Sequence, residues 1–165
     1  MANPWNVARI VQLNGGRLIG KTRLQKSAYF MEYLGIGFGF DFEYHHYGPY
    51  SEELAQLGDD AQALGLLSES WQTSQDGAEY AIFIDTGAYK GNEEAIDQKR
   101  RSALQLLKDY SAVELELAAT ALFFQHKGYS DRSWTETCER KPSKISINRV
   151  TRAKKLLAEL KDAVL

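Results

Sequence analysis

Eight consecutive residues, Gly15-Gly16-Arg17-Leu18-Ile19-Gly20-Lys21-Thr22, satisfy the letters of a phosphate-binding P-loop. In such a loop glycines let backbone N–H groups wrap a phosphate and the lysine adds charge. Ala81-Ile82-Phe83-Ile84-Asp85 has the form of the apolar strand and terminal aspartate that would hold Mg²⁺ in the same enzymes. That chemistry needs a buried strand directly before the loop and several parallel strands joined by helices. Trp5 to Asn14 reads instead as a helix, and the strands that follow read as few and antiparallel. A P-loop NTPase is therefore the minor alternative, and no cofactor is expected.

The densest chemistry lies in Tyr44-His45-His46-Tyr47-Gly48-Pro49-Tyr50-Ser51. Adjacent histidines on a strand point to opposite faces, so His45 and His46 are poorly placed to chelate one metal. His126 is the only other histidine, and no Cys or His spacing supplies further ligands, so no metal is expected. Ser51, His46 and Asp41 can be written as a catalytic triad, but an N-cap role already explains the serine. Cys138 is the only cysteine; it can form no internal disulfide, which fits a reducing compartment.

The net charge of −2 conceals three blocks. Residues 1–31 carry +5 with no acid, residues 32–97 carry −13 with Lys90 as their one base, and residues 98–165 carry +6. Blocks of opposite sign either neutralise one another inside the fold or mark separate binding faces. Glu52, Glu53, Asp59 and Asp60 fall on one helix without a lysine or arginine between Ser51 and Leu64. Acids on that helix oppose the phosphate attraction that dominates nonspecific DNA affinity. The basic residues Lys21, Arg23 and Lys26, with Tyr47 and Tyr50, are the candidates for phosphate or base contacts. Arg149, Arg152 and Lys155 on the last helix join them.

The elements that must position these residues are legible from periodicity. Pro4 opens a helix that ends at Gly15-Gly16, and a second runs from Lys21 to Leu34 before Gly35. Phe38 to Tyr47 alternates as a half-buried strand, and Gly48-Pro49 turns the chain. Ser51 caps a helix reaching about Leu64. Leu66–Gln72 and Glu79–Ile84 form a hairpin around Ser74-Gln75-Asp76-Gly77. Helices follow from about Asn92 to Lys108, from Ala112 to about His126, around Trp134–Glu139, and after Lys141-Pro142.

This order predicts an α+β, mostly helical fold in one domain, 1–165. A winged-helix-like unit with a small antiparallel sheet occupies 1–88, and a helical subregion occupies 89–165. Hydrophobic residues at 44% and charged residues at 25% fit a folded chain and exclude a disordered or fibrous one. No apolar run approaches the roughly eighteen residues of a membrane span, and Met1–Asn6 lacks a signal pattern, so a cytoplasmic location is expected.

Gly20-Lys21-Thr22-Arg23-Leu24-Gln25-Lys26, then Tyr29-Phe30, and later Tyr47-Gly48-Pro49-Tyr50-Ser51-Glu52-Glu53-Leu54 together resemble the YwgA-like proteins. More distantly they resemble the Panacea antitoxin domain, which includes SocA-like adaptors. The resemblance continues through Gly65-Leu66-Leu67, Leu115-Glu116-Leu117-Ala118-Ala119-Thr120 and Lys141-Pro142. It departs from the Panacea pattern after Gly48-Pro49, where that domain more often has apolar residues. The resemblance implies a winged-helix-like fold with added helices, and antitoxin or adaptor proteins that bind another protein.

The leading expectation is a non-enzymatic, antitoxin-like or accessory binding protein that recognises a protein partner, with Glu52, Glu53, Asp59 and Asp60 as its face. The alternative is a DNA- or RNA-binding regulator using the basic candidates.

Overall fold

Asn3 opens the first helix of the computed structural model, which describes residues 1–164; Leu165, the end of the expected domain, lies outside them. The Asn3 side chain accepts from the Asn6 N–H while the Asn6 side chain accepts from the Asn3 N–H. Pro4 takes the first helical position, where its missing N–H would have no intrahelical partner. Helix α1 (Pro4–Leu13) buries Val7, Ile10 and Val11. Gly15 and Gly16, both at positive φ, then turn the chain into strand β1 (Arg17–Ile19).

The sequence reading missed β1. Three residues of which only Leu18 is buried leave no alternation to read; antiparallel pairing with β5 (Glu79–Asp85) is what makes them a strand. Helix α2 (Lys21–Tyr33) follows at once. The long strand expected over Phe38–Tyr47 is a second correction, because only Glu43–His45 (β2) forms, paired with Gly48–Tyr50 (β3). Glu32 explains the loss: one of its carboxylate oxygens accepts the N–H groups of Phe38, Gly39 and Phe40 at 2.8, 2.7 and 2.9 Å. Those donors curl around an anion instead of reaching a neighbouring strand.

Ser51 caps α3 (Glu52–Ala63) as expected, its hydroxyl accepting from the Leu54 N–H. Strand β4 (Leu67–Thr73) and β5 form the expected hairpin, and the sheet runs β1-β5-β4, antiparallel throughout. The next helix, α4 (Asp97–Leu107), starts later than the expected Asn92. Glu93, Glu94 and Asp97 instead form a knot with Arg9, Arg100 and Arg101, which fixes the preceding segment by side chains.

Helix α5 (Ala112–Phe124) begins with a capping box between Ser111 and Glu114 and is buried from Glu114 to Phe124. It packs against α2 and β3 on one side and against α6 (Ser133–Arg140) and α7 (Ile147–Ala163) on the other. One apolar cluster therefore joins residues of both subregions, from Ile10 and Phe30 to Leu117 and Leu156. The architecture is α+β and mostly helical with a small antiparallel sheet. Among the described residues no helix is long and apolar enough to cross a membrane.

Candidate functional site

The separated pieces Leu24-Gln25-Lys26 and Tyr47-Gly48-Pro49-Tyr50-Ser51 meet in space. Gln25, buried on α2, grips Ser51 at both ends: its amide donates to the Ser51 carbonyl at 3.0 Å and its oxygen accepts the Ser51 N–H at 2.8 Å. Lys26, the next residue and 1% exposed, donates to the Pro49 carbonyl at 2.7 Å. Gly48 has φ +89, and a Cβ there would overlap the Thr120 hydroxyl of α5. Only glycine lets the β2–β3 hairpin lie so close to the helix.

Beneath the hairpin sits a charged cluster that the sequence reading missed. Glu116 of α5 is 2.8 Å from Lys141 and 2.6 Å from Lys144, and Lys141 also donates to the His46 carbonyl at 3.1 Å. Glu116 and Lys141 are buried. A charge in an interior of this kind is tolerated only with partners. Burial lowers the Lys26 amine to a pKa of about 7; Glu116 opposes that shift, and Lys141 and Lys144 add to it. The signal available in the sequence was Glu116 itself, a charge inside the otherwise apolar run Leu115 to Phe124.

Above the hairpin lies a cleft of about 370 Å³ between α2, α3, the hairpin and the sheet, lined by Lys21, Tyr47, Tyr50, Leu54, Asp59 and Glu69 among others. Glu69 faces inward from β4, on the register that carries Phe83 and Leu18. One of its oxygens is buried and accepts no hydrogen bond among the described residues, and the Lys21 ammonium stands 3.8 Å from it. The alternation Leu67-Ser68-Glu69-Ser70-Trp71 marks Glu69 as an inward carboxylate, a signal the sequence reading passed over.

The acidic candidates line the outside of α3. Glu52, Glu53 and Asp59 are exposed and Asp60 is half-buried. Among the described residues none of the four is within ion-pair distance of a lysine or arginine; Glu52 is 3.9 Å from His45, and Asp60 accepts from Gln56 at 3.1 Å. Tyr50 stacks on His45 with ring centres 4.9 Å apart. Burial pushes its hydroxyl pKa up, with Glu52 and Asp59 adding to the shift.

The basic candidates do not gather into one surface. Lys21 is exposed at the cleft mouth, 5.1 Å above the Trp71 ring. Arg23 turns inward and donates to the carbonyls of Leu107 and Tyr110 at 2.8 and 2.6 Å, and Lys26 is interior. Both are thus corrected from surface contacts to structural ties, because each spends its charged group on backbone carbonyls of the fold. Tyr47 is exposed beneath Lys144, whose ammonium is 4.7 Å from its ring. On α7, Arg149 donates to the Lys144 carbonyl, Arg152 is 3.2 Å from Glu114, and Lys155 is 3.6 Å from Glu159.

The P-loop letters form no phosphate cradle. Helix α1 stands where that fold needs a strand, and the N–H groups of Gly15, Gly16 and Gly20 donate to the carbonyls of Gln12, Val11 and Ala81. The written triad dissolves likewise, since the Ser51 hydroxyl is engaged in capping α3. Among the described residues no three His, Cys, Asp or Glu side chains gather to hold a metal ion.

No family model matches the chain, and no solved structure matches it. The chain is similar to the uncharacterized protein YwgA of Bacillus subtilis (strain 168), 28% identical over 113 residues that make up 67% of this chain and 68% of YwgA. That similarity agrees with the nearer of the two resemblances carried by the Leu24-Gln25-Lys26 and Tyr47-to-Leu54 segments.

Proposed function

We propose that this is a non-enzymatic binding protein, antitoxin-like or accessory to another system, that recognises a protein partner through the outer face of α3. The order α1-β1-α2-β2-β3-α3-β4-β5, with the β2–β3 hairpin inserted between α2 and α3, and the strand order β1-β5-β4 support reading the first subregion as a winged helix. In that fold α3 is the element positioned to read a DNA groove, and here it presents carboxylates.

One observation carries the reading. Glu52, Glu53, Asp59 and Asp60 gather on one helix with no lysine or arginine within ion-pair distance among the described residues, whereas Glu93, Asp97, Glu114 and Glu116 each have one. Solvent alone accommodates such a face, but a basic protein surface complements it and is steered toward it. Nucleic acid is disfavoured on the same face because phosphates repel it, and Arg23, Lys26 and Arg152 are engaged internally.

The test is capture from a lysate of the source organism with the wild type and with a variant carrying Glu52→Gln, Glu53→Gln, Asp59→Asn and Asp60→Asn. A partner retained by the wild type at low salt, reduced by high salt and lost by the variant supports the reading. Equal capture by both proteins rejects it.

A further inference from the structure

The cleft beside α3 has a composition that the α3 surface alone does not explain. Its walls are mostly apolar, with Leu24, Leu54 and Phe83, and its volume of about 370 Å³ is in the range of sites that enclose a small group. At its inner end Glu69 offers a carboxylate oxygen that is shielded from solvent and accepts no hydrogen bond among the described residues. An acceptor of that kind is costly when unmatched.

The nearest cation, Lys21, does not satisfy it. At 3.8 Å the ammonium is beyond hydrogen-bond reach, and its side chain is 59% exposed and rests over Trp71. Lys26, at the back of the cleft, turns its amine to the Pro49 carbonyl. Burial, with Lys141 and Lys144 adding to it against Glu116, lowers the pKa of that amine to about 7, so near neutral pH its charge opposes an entering cation less than a fully protonated lysine would. Asp59 stands at the mouth with Tyr47 and Tyr50.

We propose that this cleft receives an arginine side chain of the protein partner, with the guanidinium on Glu69 and the methylene stem between Tyr50 and Leu54. The inference rests on the reading of α3 as a protein-docking face and specifies what enters beside it. Arginine fits better than lysine for three reasons. Its planar fork matches a carboxylate, it stacks on tyrosine faces, and it is weakly hydrated, so less is lost on entering a partly apolar cleft. Its stem suits apolar walls. Buried arginine and tyrosine are also the residues that dominate the centres of protein interfaces.

The probe is N-acetyl-arginine-N-methylamide, titrated into the full ¹⁵N-labelled chain, with the lysine and citrulline analogues as controls. Saturable amide shifts centred on Tyr50, Leu54, Asp59 and Glu69 are expected with arginine, smaller ones with lysine and none with citrulline. Glu69→Gln should weaken arginine binding about tenfold, the scale of one charge-assisted hydrogen bond. Glu52→Gln with Glu53→Gln, outside the cleft, should change it by no more than about twofold. Ala55→Phe, which fills the cleft without altering charge, should abolish the shifts.

Absence of saturable shifts with arginine, equal shifts with citrulline, or unchanged affinity in Glu69→Gln overturns the proposal. In the capture experiment, a partner lost by the α3 variant but held fully by Glu69→Gln and Ala55→Phe sinks the arginine inference while leaving the docking face standing. A partner held by all three variants sinks both.

Discussion

The two sides of the β2–β3 hairpin treat charge in opposite ways. Below it, Glu116 is enclosed and has drawn two lysines to within hydrogen-bond distance, one of which also ties down the His46 carbonyl. Above it, α3 carries four acids with no lysine or arginine beside them among the described residues. Water accounts for the difference. An enclosed carboxylate loses several kcal/mol of hydration unless partners replace it, whereas an exposed one keeps its solvent and constrains nothing. Buried charge in this molecule therefore reports on the fold, and exposed unpaired charge is free to report on a partner.

The severest way to break the comparison is Lys141→Met, which leaves Glu116 enclosed with Lys144 alone. Removing one member of a buried pair costs about 3–5 kcal/mol, to be read as a fall in the urea midpoint with an unchanged m-value. The double variant Lys141→Met with Glu116→Leu should lose markedly less than the two single losses added together. Additive losses would show that the cluster is not coupled.

Gly48→Ala comes next. The positive φ costs about 1–2 kcal/mol for an L-residue, and the overlap with the Thr120 hydroxyl adds to it. In a Thr120→Ala background the overlap component should vanish and the backbone component persist. If Thr120→Ala rescues nothing, the close approach of the hairpin to α5 is not what requires glycine.

Lys26 sharpens the comparison through pH. Its pKa falls from 10.5 in the unfolded chain to about 7 in the fold, so between those values the unfolded chain holds the extra proton. Stability from this group rises with pH across that window and is flat below it, where both states are protonated. Unfolding followed from pH 6 to pH 9.5, above and below about 7, should show this slope in the wild type and lose it in Lys26→Met. An unchanged slope in the variant would assign the dependence to other groups.

The smallest effect on stability is expected above the hairpin. The neutral substitutions at the exposed Glu52, Glu53 and Asp59 should each change unfolding free energy by no more than about 0.5 kcal/mol, and the four together should abolish capture of the partner. A loss of stability comparable to that of Lys141→Met would erase the distinction between the two sides.

Periodicity and caps made most elements readable from the chain itself. Pro4 and Ser51 announce helix starts locally, the Ser74-to-Gly77 turn announces the hairpin, and the acidity of α3 follows from composition along one helix. These signals depend on neighbours within a few residues, so no tertiary knowledge was needed. Strand β1 was invisible because three residues acquire strand character only from β5. The expected Phe38–Tyr47 strand failed because Glu32, six to eight residues away, captures its donors.

The site divides along the same line. That Lys21, Lys26, Tyr47, Tyr50 and Asp59 border one cleft, and that Arg23 and Lys26 face inward to carbonyls, was decided by how α2 and α3 pack around the hairpin. Residue type fixes what a side chain can bind, but burial and direction fix what it does bind. Those depend on contacts between segments such as Gln25 and Ser51, or His46 and Lys141, that only the closed core brings together.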